Sequence, residues 1–245
     1  MNKALRILIL DNNREKKSFG SRSLVQWTLR TAPLGSEILV RRAPDFDLPK
    51  SEKFGAMIVS GSITSSLENV EPWIKPFDEF LVEKIEKGLP ILGVCYGHQS
   101  LARCLFKMNG LAPKLGIAKE GEFGWETIQK IGESALLEGL KKQFISFQSH
   151  YEELLELPPG TRCFAQTERC SIQAFELEDK PIFGIQFHPE YSIEEGEASL
   201  EAKIKSGVRR DWILNPGKGP KLYDKTVGNT IFGNFFKIAD QYRSS

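Results

Sequence analysis

The sequence predicts an α/β fold, a three-layer sandwich with a mostly parallel central sheet covered by helices on both faces. Short apolar runs alternate with segments of helical periodicity through the first 110 residues, as repeated strand–crossover–strand units require. Ile91-Leu92-Gly93-Val94 is apolar without a break, as expected of a strand buried on both sides. Between Pro72 and Glu86, Trp73, Phe77, Phe80, Leu81 and Ile85 recur at spacings of three and four, with Gly88 just past the end, which marks an amphipathic helix and its stop.

The elements follow in order. Leu5 to Leu10 is a strand that runs into a turn at Asp11-Asn12-Asn13. Residues 18–31 read as a helix and Glu37 to Val40 as a second strand, with Pro44 and Pro49 marking a surface connection. Ala56 to Val59 is a third strand, ended by Ser60-Gly61-Ser62. The helix at 72–86 and the strand at 91–94 come next. Leu101, Cys104, Leu105 and Met108 then line one face of a helix closed by Gly110. From about 111 to 191 the pattern turns to short strands, at 125–131, 144–147, 163–165, 171–176 and 182–187. Pro158-Pro159-Gly160 and Glu178-Asp179-Lys180-Pro181 supply turns between them, so these strands are expected to extend the same sheet in mixed or antiparallel fashion. Ser192 and Glu195 have capping-box spacing and start a helix. Residues 207–228, rich in Gly, Pro and Lys, carry little pattern. A last helix is expected over 231–242, with Phe232, Phe235, Phe236 and Ile238 on one side.

At 245 residues the chain is expected to be one domain, 1–245, with 193–245 a mainly helical C-terminal extension. Thirty-three Lys and Arg against 32 Asp and Glu leave a net charge of +1, which favours neither nucleic acid nor an anionic membrane as partner. Arg209-Arg210 and the lysines between Lys218 and Lys225 could form a basic patch, but the balanced charge favours a solvated loop. The longest stretch free of Asp, Glu, Lys and Arg, Gly88 to Ala102, holds Pro90, three glycines, His98 and Gln99, and is no membrane span. Residues 1–6 lack a signal-peptide pattern, so a cytoplasmic location is expected. Cys95, Cys104, Cys163 and Cys170 form no C-x-x-C pair and no metal-type spacing with histidine; they read as reduced thiols, with no metal and no cofactor implied. The three histidines, His98, His150 and His188, are the candidates for an imidazole base.

Two segments carry chemistry. Gly93-Val94-Cys95-Tyr96-Gly97 lies where a buried strand turns into a helix. A nucleophile there needs small neighbours because the chain reverses sharply, and the helix N-terminus favours a thiolate. A tight turn with a core cysteine is the plainer alternative. Gln186-Phe187-His188-Pro189-Glu190 ends a strand. In extended chain residues i and i+2 share a face, so Glu190 can orient His188 while the second ring nitrogen faces Cys95. A solvated His and Glu at a strand end is the alternative.

Together these segments resemble the class I, or triad, glutamine amidotransferases, whose nucleophile elbow matches Gly93 to Gln99 and whose His/Glu motif matches Gln186 to Glu190. The opening strand ending at Asp11, the Val59-Ser60-Gly61-Ser62 loop and Gln148-Ser149-His150-Tyr151-Glu152 also have counterparts. The resemblance implies a flavodoxin-like fold and a Cys95–His188–Glu190 triad that hydrolyses the glutamine side-chain amide through a γ-glutamyl thioester. It implies an oxyanion hole from the backbone N–H groups of Ser62 and Tyr96, with Gly61, Gln99, Ser149, His150 and Tyr151 meeting the substrate. His98 is expected on the helix surface or in packing. Two departures stand out. The family's amidotransferase domains of GMP synthetases carry Ser-Gly-Gly-Pro where this chain has Ser60-Gly61-Ser62-Ile63, and Glu152 stands for the more usual Asp. The loop, with Ser65-Ser66 and Pro72-Trp73-Ile74, is closer to stand-alone GMP-synthetase-like amidotransferases and plant γ-glutamyl peptidases. Gly217-Lys218-Gly219-Pro220 does not make a phosphate loop and no G-x-G-x-x-G occurs, so ammonia is expected to pass to a separate synthetase partner, or a γ-glutamyl compound is hydrolysed directly. A non-catalytic regulatory protein on the same fold is the remaining alternative.

Overall fold

Alternation along the first strands decides the layering, because successive side chains point to opposite faces of a sheet. In the computed structural model, which describes residues 4–15, 20–68 and 70–244, these strands are β1 (Arg6–Asp11), β2 (Glu37–Arg42), β3 (Ala56–Val59) and β4 (Ile91–Val94). Three helices, α1 (Gly20–Thr31), α2 (Ile74–Glu86) and α3 (Tyr96–Met108), alternate with them. Residues 18 and 19 of the expected first helix lie outside the described residues. Ile7, Ile9, Ile58 and Leu92 pack to one side against Leu24 and Trp27 of α1 and against Phe232, Phe235 and Phe236 of the final helix, α6 (Lys225–Ser244). Leu8, Leu10, Met57, Val59 and Ile91 pack to the other, against Phe77 and Leu81 of α2 and Leu101 and Leu105 of α3. The two apolar clusters are the interlayer cores of the sandwich.

The remaining elements are β5 (Leu115–Lys130), β6 (Gln143–Leu154), β7 (Thr161–Gln166), β8 (Ala174–Leu177), β9 (Ile182–Ile185), α4 (Ile193–Lys205), β10 (Ile213–Leu214) and α5 (Gly219–Leu222). Among the described residues the sheet runs β10-β5-β7-β8-β9-β4-β3-β1-β2, with β6 also on β5. The path from β2 to β9 is parallel. From β9 through β8 and β7 to β5 and β6 it is antiparallel, and β10 joins β5 parallel. The parallel part carries α1 to α3, and the antiparallel part extends it as the turn-rich middle of the sequence implies.

Several boundaries differ from expectation. β6 continues through Leu154, although the sequence marks a strand only over 144–147. The cause is that its inward positions beyond Phe147 are Gln148, His150 and Glu152, all buried, so the apolar alternation that signals a strand is missing. β5 begins well before the expected 125, at Leu115, with a register shift between Ile117 and Glu122. α6 begins at Lys225 instead of 231; Gly228 lowers its helical signal but fits there because a Cβ would come within 2.7 Å of the Trp27 ring and 2.8 Å of the Pro189 carbonyl oxygen. The stretch 207–228 holds β10 and α5, too short to leave a periodicity. Among the described residues, no helix is long and apolar enough to cross a membrane.

Candidate active site

Three loops leave the C-terminal ends of parallel strands side by side: Ser60-Gly61-Ser62 after β3, Cys95 after β4 and Gln186 to Glu190 after β9. This is the edge at which open α/β sheets bind ligands. Cys95 sits between β4 and α3 with φ 51° and ψ −104°. That conformation is costly for a residue with a Cβ, and the surroundings hold it in place. Its N–H donates to the Ile185 carbonyl at 2.8 Å, and its own carbonyl accepts from Gln99 N–H at 3.0 Å. The flanking glycines are explained by contact: a Cβ on Gly93 would fall 2.6 Å from the Gly97 backbone, and one on Gly97 would strike the Val59 carbonyl.

His188 is fixed from both ends. Its N–H donates to the Phe147 carbonyl at 2.8 Å, an isolated bridge to β6. Its Nδ1–H donates to Glu190 Oε1 at 2.7 Å, and the Tyr191 ring lies 4.7 Å from the imidazole centroid. Trp27 on α1 donates its indole N–H to the Glu190 carbonyl at 2.9 Å, which anchors the loop. Burial pushes the His188 imidazole down, but the Glu190 carboxylate and the nearby Cys95 sulfur together lift it to about 10. The group therefore stays an imidazolium through neutrality. Cys95 and His188 face each other across Gly61, whose Cβ would lie 3.1 Å from His188 Cε1 and 3.5 Å from Cys95 Cβ.

Ser62 lies in the loop after β3 and Tyr96 directly follows Cys95. Tyr96 is the first residue of α3, so its N–H is among those a helix leaves without an internal acceptor. Ser62 Oγ donates to the Asn12 carbonyl at 2.8 Å and accepts from Thr64 N–H at 3.0 Å, which fixes the loop. Gly61, Ser62, Cys95, Gln99, Ser149, His150, Tyr151, His188 and Glu190 all line one cavity of about 170 Å³. Gln99 Nε2 donates to the Glu152 carbonyl at 2.8 Å and to Gln186 Oε1 at 3.1 Å. The His150 imidazole pairs through Nε2 with Glu122 at 2.9 Å, while its buried Nδ1 has no hydrogen-bond partner among the described residues. Glu152 accepts from Ser65 Oγ, Ser66 N–H and Ser66 Oγ at 2.6 to 2.7 Å. The longer carboxylate thus reaches across and ties the loop after β3 to β6.

His98 is not on the helix surface. It is wholly buried against Phe175, ring centroids 5.0 Å apart, and burial lowers its pKa to about 3. The packing half of the expectation is the one that applies. Glu122, His150 and Cys170 have ligand atoms within 4.8 Å of one another, but Glu122 is also hydrogen-bonded by Thr167 at 2.7 Å and by the Gln173 amide at 2.6 Å. Donors crowd the carboxylate on several sides, the arrangement of a buried hydrogen-bond network and not of a metal-ligand set. All four cysteines are free. Sequence reasoning missed the role of Gln186, whose Nε2 donates to Cys95 Sγ at 3.6 Å; its position two residues before His188, on the same face of extended chain, was the available signal. It also missed Tyr191, Ser199 and Lys203, which line the cavity without any motif to mark them.

The fold and the elbow define a class, and comparison with known proteins agrees with it. The model of the class-I glutamine amidotransferase family matches residues 28–205, and the chain belongs to that family. Among curated relatives, a glutamine-hydrolyzing GMP synthase subunit of Pyrococcus abyssi is 32% identical over 174 residues, 71% of this chain and 86% of that one. A glutamine-hydrolyzing GMP synthase of Paraburkholderia phytofirmans is 33% identical over 224 residues, 85% of this chain but 38% of that longer protein. Among solved structures, a glutamine amidotransferase from Methylobacillus flagellatus superposes with a TM-score of 0.77 at 16% identity, covering 96% of this chain and 95% of that one. One from Thermotoga maritima gives 0.68 at 18% identity over 98% and 94%. These two likenesses establish a flavodoxin-like fold.

Proposed function

We propose that this chain hydrolyses the side-chain amide of glutamine, or of a related γ-glutamyl compound, through a thioester on Cys95. Cys95 Sγ attacks the amide carbon and forms the C–S bond, while the carbonyl oxygen takes negative charge beside the N–H groups of Ser62 and Tyr96. Donors of that kind contribute about 3–4 kcal/mol each to the transition state in comparable sites. The His188 imidazolium protonates the departing nitrogen, the C–N bond breaks, and ammonia leaves. Neutral His188 then takes a proton from water, which attacks the thioester; glutamate departs and the Cys95 thiolate beside the His188 imidazolium is restored. Glu190 holds the ring tautomer and offsets the imidazolium charge. Gly61, Gln99, Ser149, His150 and Tyr151 are proposed to hold the glutamine ends.

The observation that carries this reading is the left-handed Cys95 at the tip of the elbow, facing an imidazole held at 2.7 Å by a carboxylate. The Pyrococcus relative, a glutamine-hydrolyzing subunit by name, supports a division of labour in which ammonia passes to a separate synthetase partner. Mass spectrometry of products from glutamine, glutathione and γ-glutamyl dipeptides tests the reading. Wild type should release glutamate from at least one of them and Cys95→Ala from none, with an unchanged thermal melt. Undiminished turnover by the folded Cys95→Ala protein would remove the nucleophile from the mechanism. A glutamine-analogue electrophile that never labelled Cys95 would favour the non-catalytic alternative.

A further inference from the structure

The cavity in front of Cys95 contains one lysine or arginine among its described lining residues, Lys203. It comes from α4, outside both motifs.

The helix that carries it is firmly placed. A capping box joins Ser192 and Glu195 at its start, and Ser23 Oγ on α1 donates to Glu195 Oε1 at 2.7 Å. Glu197 accepts from Trp125 Nε1 at 3.1 Å and from Gly219 N–H at 2.9 Å. Leu200 packs with Phe123, Trp125 and Phe147, and Gly196 lies so close that a Cβ would come within 2.8 Å of the Trp125 ring.

The ammonium rests on an aromatic ring at the edge of this helix. Nζ stands 4.9 Å from the centroid of the Phe123 ring, and Ser199, one turn earlier on the same helix face, lines the same cavity.

No carboxylate answers the charge among the described residues. Lys205 nearby pairs with Glu201 at 2.7 Å, whereas Lys203 makes no ion pair among the described residues. The acids of the cavity are already engaged, Glu152 by Ser65 and Ser66 and Glu190 by His188.

Finally, Lys203 is partly buried, and that burial lowers its pKa while the Cys95 sulfur opposes the shift. An unpaired, partly desolvated ammonium is costly until an anion arrives.

We infer that Lys203 is a specificity-determining residue that binds a carboxylate of the substrate. This deepens the proposed hydrolysis and rests on its assignment of the cavity. Two carboxylates have the right chemistry: the α-carboxylate of the γ-glutamyl group, and a second carboxylate on the departing amine of a γ-glutamyl peptide. Phe123 and the lysine stem give the side chain a packing role as well, so the charge is tested apart from the stem. Lys203→Met keeps most of the stem and removes the charge; Lys203→Arg keeps the charge.

Glutamate release is measured for L-glutamine, γ-glutamylglycine and γ-glutamylglycinamide. Lys203→Met is expected to raise KM about tenfold or more, as loss of a hydrogen bond between charged groups would, with kcat changed by less than about threefold. Lys203→Arg should restore much of the loss. A rise for all three substrates assigns the α-carboxylate, and a rise for γ-glutamylglycine alone assigns the carboxylate of the leaving group. Unchanged KM for all three in a folded, active Lys203→Met enzyme overturns the inference and leaves the hydrolysis intact. Calorimetric binding of the same three compounds to Cys95→Ala, with and without Lys203→Met, separates the other case. Binding that depends on Lys203 in a protein whose wild type turns nothing over keeps the carboxylate site and ends the catalytic reading. Absence of both turnover and binding overturns both.

Discussion

Replacing Glu190 by Gln tests the electrostatics of the site most directly. Burial depresses the His188 pKa, and Glu190 leads the effects that outweigh burial and raise it to about 10. At that value about 99% of His188 is imidazolium at pH 8. Without the carboxylate the largest of the raising effects is lost, and the Cys95 sulfur alone opposes burial. If the imidazole falls to its ordinary 6.5, only about 3% is protonated at pH 8, a roughly thirtyfold drop in the form able to pair with a Cys95 thiolate and protonate the leaving nitrogen. The amide of Gln also cannot enforce the tautomer as a carboxylate does, so kcat is expected to fall by about 10³–10⁴. The assay is the rate of glutamate release between pH 5 and 11. Wild-type glutamate release should fall as pH climbs toward about 10, where the proton donor for the leaving nitrogen is lost, and Glu190→Gln should show the same limb at lower pH. The stability sign agrees. Because the folded pKa is raised, the contribution of His188 is complete below about pH 6.5 and is lost as pH rises through about 10. Glutamate-release profiles with the same high-pH limb in the two proteins would refute the claim that Glu190 sets the charge on His188.

Other perturbations address the frame around Cys95 and His188. Gly97→Ala drives a Cβ into the Val59 carbonyl and to 3.1 Å from Val59 Cβ; backbone cannot yield as a flexible side chain does, so a loss of about 1–3 kcal/mol or more is expected in urea unfolding. A variant as stable as wild type would disprove that close approach. Glu152→Ala strips the partner from Ser65 Oγ, Ser66 N–H and Ser66 Oγ, leaving polar groups worth about 1–3 kcal/mol apiece unsatisfied. Faster hydrogen exchange over residues 60–68 and a raised KM should result, with Glu152→Gln intermediate. Unaltered exchange in that loop would show that another contact holds it.

The chemistry at the parallel-strand ends was legible because it is local. Glycines two residues either side of Cys95 report a backbone that must reverse and pack closely. The His-Pro-Glu triplet reports two side chains on one face of extended chain. The apolar runs around them report strands buried on both sides. The antiparallel part was less legible for the opposite reason. β6 turns Gln148, His150 and Glu152 inward, where Gln173, Glu122 and the Ser65-Ser66 pair answer them. Such satisfaction comes from residues 25 to 87 positions away and leaves no periodicity to read.

By itself, then, the sequence determined the layered α/β plan, the elbow cysteine and the imidazole–carboxylate pair, since each depends on spacing along a few residues of chain. Only the tertiary structure decided that His98 is a buried packing residue, that Gln186 reaches the sulfur, and that α4 brings Lys203 to the cavity. Those outcomes depend on which surfaces the packed sheet and helices press together, and that is a property of the whole fold.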